Sequence, residues 1–344
     1  MEQQDILSMT LSELQTAVQE LGEPKFRAKQ IFNWLHQKRV TDFSEMTTLS
    51  LPFRERLASD FCINRLKIAK RLASSVDDTV KYLYELPDGN YVETVCMQYH
   101  HGTSLCISTQ VGCRMGCRFC ASAIAGFVRN LTPAEMLLQI YETERAQNCK
   151  ISSLVLMGIG EPLDNFDNVL RFLQLLSDPN GYGMSLRHVT VSTCGVVPKI
   201  LELAEQRLGL TLSVSLHCPN DAGRSAIMPI NRSYPIDVLL DACQTYFEKT
   251  GRRVTFEYAV MEQVNSAEQD AAALAERLKG LHAHVNLIPI NPVKERNFHT
   301  LKKTVLQFQK TLERYGIPAT IRRTLGSDIE AACGQLRRDA IQQT

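Results

Sequence analysis

The chain has 344 residues, 44% of them hydrophobic, enough for a substantial buried core and, at ordinary domain sizes, about two domains; a largely disordered protein is excluded. Its formal net charge is only +1, so composition alone does not announce a nucleic-acid binder. The opening MEQQDILSMT lacks the charged-then-apolar layout of a signal peptide, and no run approaches the roughly 20 apolar residues of a membrane helix. A cytoplasmic protein with no membrane partner is expected.

Thr10-Leu11-Ser12-Glu13 matches a capping box and opens a first helix, Pro24 suits the first turn of a second helix ending near Lys38, and a short third helix follows Pro52. From Thr79 the pattern alternates: Val80, Tyr82 and Tyr84 lead to the turn Pro87-Asp88-Gly89-Asn90 and a returning strand from Tyr91 to Tyr99. A further strand is expected over 105–111. Beyond it, Thr132-Pro133-Ala134-Glu135 opens a helix, and SSLVLMG, RHVTVST, LTLSVSL, RVTFEYAV, HVNLIPI and IPATIRR read as strands separated by helical stretches. That alternation predicts right-handed parallel β/α units, about six in number, too few for the standard eight-unit barrel; an open or partial barrel fits.

A reducing compartment makes clustered cysteines metal ligands or catalytic thiols more readily than disulfides, and the eleven cysteines are read that way. By the same logic the glycosylation-like triplets at Asn130 and Asn231 are chance matches. Basic stretches around Lys25 to Arg39, Arg65 to Arg71, Arg322-Arg323 and Arg337-Arg338 each read more readily as solvated faces than as RNA contacts.

Cys113, Cys117 and Cys120 stand in GCRMGCRFCASA, directly after a predicted strand. Three thiolates at this spacing leave one corner of a cubane iron-sulfur cluster without a protein ligand, and such an open iron can take a cofactor. Zinc, or a redox pair formed by Cys117 and Cys120, are the competing readings. Zinc would normally recruit a fourth ligand from a second Cys or His pair at short spacing, and none follows. The spacing, with Phe119 before the last cysteine, resembles the radical-SAM signature, SAM being S-adenosylmethionine.

The strand-end residues agree. Gly160 and Glu161, in MGIGEP, fall where β/α barrels assemble their sites; glycine lets the backbone approach a ligand, and Glu161 can accept from an ammonium or a ribose. Ser192, the run Ser215-Leu216-His217, and Asn291 occupy equivalent strand ends. Each alone reads as a turn or cap residue; their shared barrel face makes them candidates for cofactor binding.

The motifs YVETV, LCISTQVGCRMGCRFCAS, GFVRNLT, MGIGEP, HVTVST, RSAIMPINRSYP, HVNLIPINP and DIEAACGQL together resemble the RlmN/Cfr family of radical-SAM RNA methyltransferases over nearly the whole chain. The resemblance implies an α/β fold: a partial (β/α)6 radical-SAM barrel over 105–344 with a C-terminal catalytic-cysteine segment, a helical RNA-binding accessory domain over 1–60, and a linker and β extension over 61–104. It implies a 4Fe-4S cluster on Cys113, Cys117 and Cys120, SAM as the second cofactor, an electron donor of the flavodoxin or ferredoxin type, and 23S ribosomal RNA, with transfer RNA in some members, as substrate. Within the family, RlmN-like enzymes act at carbon 2 of an adenosine and Cfr-like enzymes at carbon 8. Val111 stands where Cfr-like proteins commonly carry an additional cysteine, which favours carbon 2. Cys194 and Cys218 depart from the serine and alanine common at those places and are expected to pack as small hydrophobes.

Neither ring carbon can attack a SAM methyl directly, so a radical route is needed. The resemblance implies that Cys333 accepts a methyl group from one SAM and that a radical from a second SAM activates it for addition to adenine. Cys106 then releases the product through a transient disulfide, and Glu93 removes the ring proton. By themselves Cys106 and Cys333 would read as core thiols and Glu93 as a solvent-facing charge; Cys62, Cys96, Cys149 and Cys243 match no motif and stay structural. A non-catalytic RNA-binding protein with a structural metal is the competing class of function, as is a radical-SAM enzyme with a protein or small-molecule substrate.

Overall fold

The computed structural model describes residues 3–124, 126–289 and 299–329. Three helices open the chain: α1 (Leu11–Glu20), α2 (Phe26–Asn33) and α3 (Leu51–Asp60). The predicted capping box on α1 is formed, with Thr10 Oγ1 accepting from the Glu13 amide at 3.3 Å and Glu13 Oε2 accepting from the Thr10 amide at 2.8 Å. The second helix reaches Lys38 by way of a wider π turn over Trp34–Lys38, stopped by Arg39 in the left-handed region at φ 57°.

One ten-stranded sheet follows, with its strands side by side in chain order. Its first four strands, β1 (Lys67–Ala73), β2 (Val80–Glu85), β3 (Tyr91–Tyr99) and β4 (Gly102–Cys106), form an antiparallel meander. Onto β4 are added, all parallel, β5 (Ile151–Leu156), β6 (Val189–Thr193), β7 (Thr211–Ser215), β8 (Val254–Val260), β9 (Ala283–Pro289) and the short β10 (Ala319–Ile321). The crossovers carry α4 (Pro133–Gln147), α5 (Phe166–Ser177), α6 (Val197–Glu205), α7 (Asp221–Ile227) with α8 (Ile236–Thr250), α9 (Glu268–Leu278) and α10 (Lys302–Arg314). From β4 to α10 this is the expected partial (β/α)6 barrel, open between β10 and the meander. All seven residues of β8 are buried, as covering both faces of a parallel strand requires.

Helix α4 joins the parts. Thr132 and Glu135 cap it reciprocally. One side takes the meander, through Tyr84 Oη to Thr143 Oγ1 at 2.8 Å and Gln147 Nε2 donating to Tyr82 Oη at 2.7 Å. Another takes the N-terminal helices, through His36 Nδ1 to Tyr141 Oη at 3.0 Å and an Arg39–Glu144 ion pair. Their apolar faces, including Leu14, Val18, Ile31 and Phe32, belong to the same core as Leu137 and Ile140.

The strand expected over 105–111 is broken. β4 stops at Cys106, and Gln110–Gly112 pairs instead with Phe127–Asn130 in a separate antiparallel ribbon. The cause is Gln139 of α4, whose amide accepts from the Ser108 N–H at 2.8 Å and donates to the Ser108 carbonyl at 3.0 Å. A side chain thus satisfies the backbone groups a neighbouring strand would have used.

Candidate active site

A cavity of about 380 Å³ opens at the carboxyl ends of the strands, the face on which β/α barrels assemble their sites. Each strand from β4 to β8 ends on it, in Cys106, Gly158 and Gly160, Ser192 to Cys194, Ser215 and His217, and Ala259.

The three motif cysteines line one wall. Gly112 makes their loop possible: at φ +80° any Cβ would lie 1.7 Å from the Gly126 carbonyl oxygen, where the Cys113 amide closes the turn at 3.1 Å. Cys194, Cys218 and Met228 belong to a small apolar cluster against which Met115, Cys117 and Phe119 pack, so the two departures from the family pattern are small apolar packing residues here. Burial pushes the Cys113 thiol up to about 12 and Cys117 higher still; bound iron is what would hold them as thiolates. A cubane takes its protein thiolates on separate irons, and three motif cysteines on one wall match a cluster with three protein ligands and one open corner.

Gly160, at φ +111°, could not carry a side chain: its Cβ would meet Gln110 atoms at 2.6 and 2.8 Å. Glu161 is buried and pins two strand ends, with Oε1 accepting from the Leu163 amide at 3.0 Å and Oε2 from the Cys194 amide at 2.7 Å. Burial raises its pKa. The side chains of Thr193 and Cys194 also hydrogen-bond its carboxylate. Ser192 and Ser215 line the cavity, whereas the Leu216 side chain is fully buried and does not.

His217 adopts φ 57°, unusual for a residue with a side chain. Its carbonyl accepts from Asn265 Nδ2 at 2.6 Å, and its Nδ1 accepts from the Ala259 amide at 2.9 Å. Burial drives its pKa down to about 3, so the ring is neutral and its proton sits on Nε2 as a donor. The edge of Phe119 packs against it at 4.7 Å between centroids.

Cys106 is buried with Val95, Met97 and Leu325 and lines the cavity. Glu93 is on the same face of β3, two residues before Val95, buried at 1% exposure and 3.0 Å from Lys81 Nζ, itself at 0%. Asn291 and Cys333 lie outside the described residues. The chain leading to Cys333 is anchored by Asp328, whose carboxylate accepts from Ser74 Oγ at 2.6 Å and from the Ser75 amide at 2.7 Å, fixing the segment onto the β1–β2 turn. Those bonds hold the Asp328 carboxyl down at about 2.

Sequence reasoning missed Lys81, Asp328 and Arg224. Arg224 is fully buried and donates to the carbonyls of Cys194 (2.7 Å), Ser215 (3.0 Å) and Leu216 (3.2 Å) and to Asn231 Oδ1 (2.9 Å), tying together the ends of β6 and β7. Only its place in the RSAIMPINRSYP motif hinted at this. Glu257 was missed as well: it lines the cavity and takes Ser213 Oγ and Asn286 Nδ2 on Oε1.

The chain is similar to known proteins over nearly its whole length. Residues 4–63 match the ribosomal RNA large subunit methyltransferase N-terminal domain, and residues 107–275 match the radical SAM superfamily. The chain is 50% identical over 344 residues to the "Probable dual-specificity RNA methyltransferase RlmN" of Lachnoclostridium phytofermentans, covering 99% of this chain and 96% of that one. It is 48% identical over 339 residues to the protein so named in Clostridium novyi, covering 98% and 99%. A solved radical SAM methyltransferase from Sphaerobacter thermophilus superposes with a TM-score of 0.92 at 40% identity, covering 96% of this chain and 98% of the other.

Proposed function

The chain belongs to the RlmN family of radical-SAM RNA methyltransferases, and from that premise we propose that it methylates carbon 2 of an adenosine in 23S ribosomal RNA, and of one in transfer RNA, through a methyl group carried on Cys333. Its cofactors are a 4Fe-4S cluster and SAM. When bound, the cluster supplies the electron that splits SAM into methionine and a carbon radical.

The protein's own groups do the rest. Cys113, Cys117 and Cys120 hold the cluster. Gly160 and Glu161, with Ser192, Ser215, the Leu216 backbone, His217 through Nε2–H and Asn291, hold SAM at the strand ends. The Cys333 thiolate takes the methyl group by displacement at the methyl carbon of one SAM, releasing S-adenosylhomocysteine; the carbon radical from a second SAM takes a hydrogen atom from that methyl, giving 5′-deoxyadenosine, and the methylene radical left on Cys333 adds to the adenine ring carbon. Glu93 accepts the ring proton, and with one electron also given up by the radical adduct, for which the oxidised cluster would be the acceptor, aromaticity returns. Cys106 then attacks the Cys333 sulfur: the sulfur–sulfur bond forms, the carbon–sulfur bond breaks with its electron pair passing to the methylene carbon, and that carbon takes up a solvent proton to become the methyl group. The N-terminal helices contribute RNA affinity, a flavodoxin- or ferredoxin-type protein is the electron donor, and the reaction takes place in the cytoplasm; no helix among the described residues is long and apolar enough to cross a membrane.

The observation that carries this reading is that one cavity is lined both by the three motif cysteines and by Cys106. Anaerobic protein reconstituted with iron and sulfide, reduced in the presence of SAM and given a 23S RNA fragment, is expected to form 5′-deoxyadenosine and methylated RNA together. SAM cleavage with unmodified RNA would point to another substrate class, and no cleavage at all to a binding protein.

A further inference from the structure

We propose that Lys81 is a positioning residue for proton removal: its ion pair holds the Glu93 carboxylate in one place along the wall that carries Cys106. This rests on the assignment of Glu93 as the base made above. In the sheet register Cys106 of β4 faces Val95 of β3, and Val95 faces Lys81 of β2. The three share a row and therefore a face, the one on which Val95 and Cys106 line the cavity. Glu93 lies one row along on that face, diagonal to Lys81, with 3.0 Å between Nζ and Oε2. On the opposite face Tyr82 and Tyr84 hydrogen-bond to α4.

Both charges are withdrawn from water, at 0% and 1% exposure. A buried ion pair is a poor stabilising device, because the desolvation of two ions consumes most of what their attraction returns; an apolar pair would serve the fold as well or better. A carboxylate buried in such a wall with no cation beside it would be costly and without a fixed direction. The ammonium at 3.0 Å gives it one. In the step concerned, a proton passes from the adenine ring carbon to the Glu93 carboxylate, the C–H electron pair stays on the ring, and Lys81 keeps its own protons throughout. Lys81 thus acts through Glu93.

The test is a double-mutant cycle on cluster-loaded enzyme, with Glu93→Gln, Lys81→Met, Glu93→Gln/Lys81→Met and Lys81→Arg compared for 5′-deoxyadenosine formation, methylated RNA and enzyme–RNA adduct. Lys81→Met should keep its cluster absorbance and cleave SAM within about twofold of the parent. It should lose about 100-fold in methylated RNA, the low end of general-base effects, with adduct persisting. The double variant should be no slower than Glu93→Gln, since both changes remove one function, and Lys81→Arg should recover at least about tenfold. Lys81→Met at the parental product rate beside a slow Glu93→Gln overturns the role of Lys81 and leaves Glu93 as base; so do losses that multiply in the double variant. Loss of cluster or of SAM cleavage in Lys81→Met would make Lys81 a folding residue and equally overturn the proposal. A Glu93→Gln enzyme at the parental rate would instead remove the base assignment itself.

Discussion

Cys106→Ala is expected to stop the reaction with RNA covalently attached to the protein. If Cys106 resolves the adduct, this variant still methylates Cys333, still cleaves SAM and still adds the carbon to adenine, but nothing attacks the Cys333 sulfur. Methylated free RNA should fall by at least about 1,000-fold, as for loss of a nucleophile from a covalent mechanism, while adduct builds up to a large share of the enzyme. The fold should barely notice: Cys106 is a small side chain among Val95, Met97 and Leu325, and its truncation is worth about 1 kcal/mol, a typical core change. Denaturing electrophoresis followed by nuclease digestion and peptide mass spectrometry locates the adduct. It should map to Cys333 and be absent from Cys106→Ala/Cys333→Ala. A merely structural Cys106 would give less product in step with lower stability and no trapped RNA; free methylated RNA at the parental rate would end the resolving role.

Cys117→Ala should remove the cluster and with it all SAM cleavage, and the same holds for Cys113→Ala and Cys120→Ala, since each thiolate holds a different iron. The readouts are the broad iron–thiolate absorbance, iron content and 5′-deoxyadenosine, all expected at background. Cys243→Ala is the control. That thiol is buried in α8 in the main core, away from the cavity wall, so its loss should lower the melting temperature while cluster loading stays at the parental level. A Cys117→Ala protein that binds four irons and cleaves SAM normally would refute the ligand assignment.

Much of this architecture was legible in the sequence because its signals are local. The run that became β8, VTFEYAV, is rich in β-branched and aromatic residues although it carries Thr255 and Glu257, and the capping boxes at Thr10 and Thr132 name their own helices. The motif cysteines read as a cluster site because spacing on one loop fixes which thiols can share a ligand. The break after Cys106 could not be read, since it depends on Gln139, which lies 31 residues from Ser108 and reaches it only once α4 is packed. Lys81 and Glu93 were opaque for a related reason. A charge in an alternating strand normally faces water, and here the face that alternation exposes is turned inward onto the cavity wall. Arg224 was hidden too: its acceptors are backbone carbonyls at the ends of β6 and β7, which no residue-type pattern records.

The most direct test of the proposed reaction is mass spectrometry of nucleosides from purified 23S ribosomal RNA of cells lacking this protein and of the same cells expressing it, run against synthetic 2-methyladenosine and 8-methyladenosine. The expected result is 2-methyladenosine that depends on the protein, is absent with Cys333→Ala and maps to one adenosine. Protein-dependent 8-methyladenosine, or ribosomal RNA with no methyladenosine difference between the two strains, would contradict it.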